Sequence, residues 1–261
     1  TGFARFELLE KIQAKHPLNA NEEAEFERVK ERVDRICAMA SQFNKMILID
    51  AEESWIQDPV DAITDAMMAR YNRGKTIVFN TFQLYRHDRL AFMKQSHEKA
   101  LSEGYILGAK LVRGAYMEKE RERAANKGYA SPIQPNKEAT DRDYDAAVHH
   151  GLSHLNSISL FIGTHNEESN RLAAEFILQQ HLNPTQVPVY FSQLFGMSDN
   201  LSFNLGKAGF HVSKYLPYGP VGDVVPYLMR RAQENTSVAG QTGRELSLIN
   251  KELQRRASIR K

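Results

Sequence analysis

An α/β fold, a (βα)8 barrel forming a single domain over residues 1–261, is what the sequence predicts. Three observations lead there. Short apolar runs alternate with long charged segments of helical period, which implies parallel βα units. The runs are rich in Ile, Val, Leu, Phe and Tyr without clean alternation, as strands buried on both faces are. Nearly every run exits into polar residues: DAEE, NTFQ, RGAY, THNEE, SQLFGM and PYGP. A barrel gathers all such ends around one mouth, whereas a doubly wound sheet concentrates its site at one switch point.

In chain order, TGFARFELLEKI (1–12) lacks the apolar core of a signal peptide and reads as the start of a helix. The segment 22–43 is a long amphipathic helix carrying Cys37, the single cysteine, read as a core thiol. One cysteine excludes a disulfide framework and a cysteine metal cluster. The expected strands are KMILID (45–50), TIVFNTF (76–82), ILGAKLV (106–112), SLFIGT (159–164), VPVYFSQLF (187–195) and HVSKYLP (211–217). Helices are expected over 88–104, closed by Gly104 as C-cap, and over 138–155. A short further strand is sought in NTSVAGQT (235–242), and QRRASIRK (254–261) reads as a solvated basic tail.

Composition is that of an ordinary globular chain, 42% hydrophobic and 25% charged, with a formal net charge of +2. That charge is too small to argue for nucleic acid, and no basic tract is interleaved with aromatics. No run approaches the roughly 18 apolar residues of a spanning helix. There is no G-x-G-x-x-G after a strand, no Walker loop and no G-x-S-x-G. No H-E-x-x-H appears either, and the neighbours His149 and His150 point about 100° apart on a helix, so no metal is expected.

The candidate site residues are the strand exits: Asp50 with Ala51, Asn80, Lys110 with Arg113, Gly114, Ala115 and Tyr116, and Thr164 with His165. Each alone has a plain structural reading; Asp50 would serve as a helix N-cap. The sharpest feature is GPVGDVVPYLMRRAQENTS (219–237), where Asp223 reads as an N-cap. Tyr227, Arg230, Arg231 and Glu234 then fall at i, i+3, i+4 and i+7 on one helical stripe. Two adjacent guanidiniums beside an aromatic suit an anionic small molecule. A surface helix with an Arg–Glu pair carries equal weight on this stretch alone.

Taken together, LIDAEES, IVFNTFQLY, AKLVRGAYMEKER, GTHN, YFSQLFGM and KYLPYGPVGDVVPYLMRRAQENTS resemble the proline dehydrogenase family, from about residue 45 to 243. The likeness is greatest to the single-function bacterial and mitochondrial enzymes, with the domain of bifunctional proline-utilisation proteins more distant. The resemblance implies a distorted, TIM-like (βα)8 barrel that binds FAD at its mouth without a Rossmann fold. It implies oxidation of L-proline to Δ1-pyrroline-5-carboxylate, with electrons passed to a quinone.

Carried over by position, Arg230 and Arg231 would hold the proline carboxylate, and Tyr215, Tyr227 and Leu194 would wall the ring. Asp50 and Tyr116 would line the active site, with Lys110 beside the reactive nitrogen of the flavin. Ala51, Asn80, Arg113, Gly114, Ala115, Thr164, His165 and Glu234 would contact FAD. Relatives that prefer hydroxyproline tend to carry a smaller residue at the position of Tyr215.

The family also carries a helical arm and a first strand ending in a lysine that pairs with the carboxylate. Both would precede Thr1, and neither stands in this sequence. A barrel incomplete at its N-terminal edge is therefore expected, with an exposed strand edge and a tendency to self-associate. The compartment implied is cytoplasmic with peripheral contact at the inner membrane in a bacterium, or the mitochondrial matrix side in a eukaryote. Two rivals stay open at this point: a barrel lyase or aldolase using Lys110 as a Schiff-base lysine, and a fragment that binds ligand without turnover.

Overall fold

The structure is a computed structural model that describes residues 3–222, 224–229 and 239–259. The chain divides into two compact units, Thr1–Lys214 and Tyr215–Lys261.

The first unit opens with α1 (Phe6–Gln13) and α2 (Ala20–Gln42). Asn19 and Glu22 form a reciprocal capping box at the start of α2, leaving two fewer orphan donors at its N-terminus. Five βα steps follow. β1 (Ile47–Ile49) leads through a 3₁₀ turn (Ser54–Ile56) to α3 (Gln57–Tyr71), and β2 (Val78–Gln83) to α4 (Arg89–Glu103). β3 (Leu107–Val112) precedes two helices, α5 (Met117–Lys127) and α6 (Lys137–Leu152). β4 (Ile158–Gly163) leads to α7 (Glu167–Gln179), β5 (Val189–Leu194) to α8 (Asp199–Lys207), and β6 (His211–Tyr215) follows. All six apolar runs are strands, and Gly104 does cap α4, in the left-handed conformation at φ 71°.

The sheet order is β1-β2-β3-β4-β5-β6, with β1 to β5 paired in parallel. Sequential order without reversal is the order of a barrel wall; a doubly wound sheet reverses at its switch point. The sheet is also curled. β2 and β5 would stand ~14 Å apart in a flat sheet, yet the rings of Phe79 and Tyr190 approach to 6.2 Å. Phe161 stacks on Tyr190 at 5.9 Å, and Tyr190 on His211 at 5.2 Å, filling the concave face with aromatic surface.

Alternation then assigns the faces. Val78, Phe82, Leu107, Ala109, Leu111, Ile158, Leu160, Ile162, Val189 and Phe191 point outward into the core shared with the helices. Cys37 belongs to that core, fully buried, and burial pushes its thiol up to about 11, the environment of an inert thiol.

The same layer holds a buried polar cluster that composition gave no reason to expect. The Arg89 guanidinium, at the start of α4, donates to both oxygens of Asp61 on α3, at 2.8 and 3.1 Å. Asp61 also accepts from Asn80 on β2 at 2.8 Å and from Gln57 at 3.0 Å. Arg89 lies against the ring of Phe92 at 4.2 Å. One carboxylate thus ties two helices to a strand, with its charge opposed and its lone pairs used.

In the second unit, residues 224–229 are helical and α9 (Ala239–Ile259) ends the described chain. Two expectations change here. Residues 239–242 of NTSVAGQT open α9 instead of continuing a strand, and 254–259 of the basic stretch are helical. Arg255 and Arg256 both pair with Glu252, so the basic run is partly neutralised by i, i+3 and i, i+4 ion pairs. Asp223 lies outside the described residues.

Candidate active site

The exits of β1, β2 and β3 meet on the concave face. Asp50 follows β1 immediately, and Lys110 is the inward residue of β3, in register with Thr81 of β2. The Lys110 ammonium donates to both Asp50 oxygens, at 2.7 and 2.8 Å. Thr81 donates its hydroxyl proton to Asp50 Oδ1 at 2.5 Å. Asp50 therefore caps no helix: its carboxylate orients the lysine, and Thr81 orients the carboxylate. Two of the three Lys110 donors are taken, which leaves one for a bound molecule.

Beyond the strand tip, Arg113 turns toward the next exit. It donates through Nε to Asp141 at 2.7 Å, through Nη1 to Thr164 at 2.8 Å and through Nη2 to Ser169 at 3.1 Å. Its guanidinium lies over Tyr144 at 4.2 Å. Burial works against the Asp141 carboxylate, but Lys137 and Arg113 together hold it below the usual carboxylate range. Three of the five Arg113 N–H groups are used in this clamp.

Gly114 comes next, at φ 127°, where a Cβ would stand 2.3 Å from the Tyr85 ring. Only glycine allows both that backbone and that approach. The peptide N–H of Ala115 donates to Glu52 Oε2 at 3.2 Å, and Glu120 accepts from the Ser54 N–H and hydroxyl at 2.6 and 2.7 Å. The β1 exit loop is thereby fixed to α5.

Glu52 is the titratable group of most interest. Desolvation in this loop contact pushes its carboxyl up to about 7, aided by the nearby Asp50 charge and opposed by the Ala115 N–H and Lys110. An acid whose folded pKa exceeds its unfolded value binds its proton more tightly when folded. Its stabilising effect is complete below about 4.5 and fades as pH rises through 7. Wild-type stability relative to Glu52→Gln should therefore fall by on the order of 1–3 kcal/mol across that window. Urea unfolding of both proteins at several pH values measures it, and parallel pH profiles would remove the assignment.

The other expected residues fall into three groups. Ala51 accepts from the Gln83 side chain through its carbonyl. Tyr116 stands at the N-terminus of α5 with Lys119 Nζ 5.2 Å from its ring centroid, and His165 Nδ1 is 3.0 Å from Ser198 Oγ. Leu194 is half-buried at the end of β5. Asn80 differs from these. It is outward-facing, 1% exposed and committed to Asp61, whereas its neighbour Thr81 faces the concave side. Strand alternation is the signal that separates the two, and it also points to Thr81, which the sequence reading passed over. Glu52 and Glu120 were not singled out either: Glu52 stands within the exit DAEE beside Asp50, and in MEKERER Glu120 is one charged residue among several. In the second unit the rings of Tyr215 and Tyr227 lie 5.5 Å apart at 58°. Arg230, Arg231 and Glu234 lie outside the described residues.

Comparison with known proteins places this geometry. The family model described as proline dehydrogenase matches residues 4–244. The mitochondrial proline dehydrogenase 1 of Caenorhabditis elegans is 41% identical over 246 residues, covering 92% of this chain and 40% of that protein. Its human counterpart is 40% identical over 238 residues, covering 90% and 40%. A hydroxyproline dehydrogenase of Xenopus laevis is 39% identical over 229 residues, covering 86% and 49%. The chain thus spans about two fifths to one half of the length of these relatives.

Among solved structures, proline utilization A from Bdellovibrio bacteriovorus superposes with a TM-score of 0.75 at 21% identity, over 83% of this chain and 22% of that one. The Bradyrhizobium japonicum protein gives 0.73 at 23%, over 90% and 23%. At those identities the likeness is one of fold, the (βα)8 barrel. On the family match and the shared barrel, the chain belongs to the proline dehydrogenase family.

Proposed function

We propose that this chain is the barrel of an FAD-dependent enzyme that oxidises L-proline to Δ1-pyrroline-5-carboxylate and passes the electrons to a quinone. The observation that carries the reading is the convergence of Asp50, Thr81 and Lys110 on the concave face at the strand exits, in a chain of this family. Active sites of such barrels stand at that end.

The residues present fit a flavin dinucleotide. Lys110 and Arg113 keep N–H donors uncommitted at the mouth, and the Gly114–Ala115 backbone offers a surface without bulky side chains. Bound there, FAD would accept the electrons and hydrogen lost from the proline ring. The chain's own part is orientation and charge. Lys110, held by Asp50, would supply a fixed positive charge where electron density builds up. Arg113 would meet the anionic part of the dinucleotide while its clamp on Asp141, Thr164 and Ser169 keeps it in place. Thr164, His165 and Ala51 would complete the cofactor shell of the first unit, whereas Asn80 would act only indirectly, by holding β2 to Asp61.

Arg230 and Arg231 would fix the proline carboxylate, with Tyr215 and Tyr227 against the ring. The bulk of Tyr215 supports proline over its hydroxylated analogue. Among the described residues no helix is long and apolar enough to cross a membrane; we place delivery to a quinone at a peripheral contact. The mitochondrial relatives support a place in the mitochondrion; the matrix side of the inner membrane, or the cytoplasmic face in a bacterium, is the finer part of the proposal.

The purified chain should bind FAD non-covalently, show flavin absorbance and lose that absorbance anaerobically on addition of proline. A folded protein that takes up no added FAD would sink the proposal and reopen the Schiff-base alternative. Colour without bleaching would mark binding without turnover.

A further inference from the structure

At the opposite end of the strands from Lys110 and Arg113, α4, α6 and the turn into β4 bring three histidines together. His97 of α4, His150 of α6 and His154 each offer a ring nitrogen, and the three nitrogens lie within 4.8 Å of one another. We propose that His97, His150 and His154 form a structural site for a divalent transition-metal ion of the zinc class, which takes imidazole ligands.

The spacing suits such an ion. His97 Nδ1 and His150 Nε2 are 3.2 Å apart. Two nitrogens bound tetrahedrally at ~2.0–2.1 Å stand ~3.3 Å from each other. The remaining ring nitrogens are held as a metal site requires. Ser157 donates its hydroxyl proton to the His154 carbonyl at 3.3 Å, so it accepts from His97 Nε2–H at 2.8 Å. That leaves the His97 Nδ1 lone pair bare. His154 Nδ1–H donates to the His150 carbonyl at 2.7 Å, leaving its Nε2 as the ligand atom. Hydroxyl and carbonyl partners that fix the tautomer are the usual outer shell of metal-bound histidine.

In the absence of metal, His150 Nε2–H donates to His97 Nδ1. Binding needs only a tautomer change at His150, with no ionisation. His154 is exposed, so an ion can enter from solvent and water can complete the coordination. The adjacent His149 packs toward Phe176 on α7 instead, with ring centroids 6.2 Å apart. The site would join α4 to α6 below β3 and β4, where Leu107 N–H donates to the Ser157 carbonyl at 2.9 Å. That end of a barrel serves stability. His150 and His154 are four residues apart, a spacing readable in HHGLSH, but the third ligand comes from 53 residues before His150.

Calorimetric titration of the full chain with Zn²⁺, and melting with excess Zn²⁺ against chelator, test the site. One ion per chain should bind, and at about a hundred times Kd the melting temperature should rise by about 5–10 °C. His154→Ala removes an exposed ligand and should weaken binding about 100-fold or more and abolish the rise. His149→Ala should change neither. Absence of saturable binding, binding unaltered by His154→Ala, or equal loss in His149→Ala would each overturn the proposal.

Discussion

Asp61→Ala should cost about 3–5 kcal/mol of folding stability, the largest effect expected of any single substitution in the first unit. Both partners of the pair are almost inaccessible, with 2% and 6% of the Arg89 and Asp61 side chains exposed. Removing the carboxylate leaves the Arg89 guanidinium buried without a counter-ion, pressed against Phe92 and Phe82. It also strips an acceptor from the Asn80 and Gln57 amides. A positive charge cannot be neutralised here by releasing its proton, because arginine stays protonated in proteins.

The double replacement Asp61→Leu with Arg89→Met should recover a large part of the loss. A well-packed apolar pair carries no desolvation penalty, whereas half of an ion pair carries all of it. Equilibrium unfolding in urea of the wild type, the single variant and the double variant decides this. A loss below about 1 kcal/mol for Asp61→Ala would mean that water reaches Arg89, and that the cluster is less coupled to the fold than its geometry implies.

Arg231→Met should weaken binding of proline, or of a non-oxidisable cyclic carboxylic acid, by roughly 30- to 1000-fold, about 2–4 kcal/mol. The spacing of Tyr227, Arg230, Arg231 and Glu234 puts all four on one helical stripe. The described residues 224–229 are helical up to that point, with the Tyr227 ring against Tyr215. A guanidinium pairs two N–H donors with two carboxylate oxygens, and methionine keeps the length but neither donor nor charge. FAD affinity should change far less, because Lys110 and Arg113 belong to other elements. Inhibitor titration of Arg230→Met and Arg231→Met, followed by the flavin spectrum, separates the outcomes. Unchanged affinity in both would place the carboxylate elsewhere, and loss of flavin in either would indicate a disturbed fold.

Much of the architecture was legible in the linear chain. Six short apolar runs mark six strands because a strand covered on both faces has to be apolar along its length. Gly104 ends α4 because a left-handed cap disfavours any other residue. The strand exits pointed to the place where Asp50, Thr81 and Lys110 meet, because polar residues that terminate buried strands face the barrel mouth. Asn80 marks the limit of that reasoning. In the exit NTFQ the amide of Asn80 is the side chain that reads as site-like, yet strand alternation sends it to the helical layer and turns Thr81 to Asp50 instead.

Partner choice was decided by tertiary structure alone. Asp50 and Lys110 are separated by 60 positions, and Asp61 and Arg89 by 28. Arg89 is the second residue of the segment DRLAFMK, where its charge suggests solvent, yet it is among the most buried side chains of the described residues. His97 and His150 meet across 53 positions, because α4 and α6 flank neighbouring strands. Hydrophobic periodicity is a local quantity set by the 2.0 and 3.6 residue repeats, so the sequence carries it directly. Which polar groups meet depends on strand register and helix placement, and these are fixed when the apolar faces pack together.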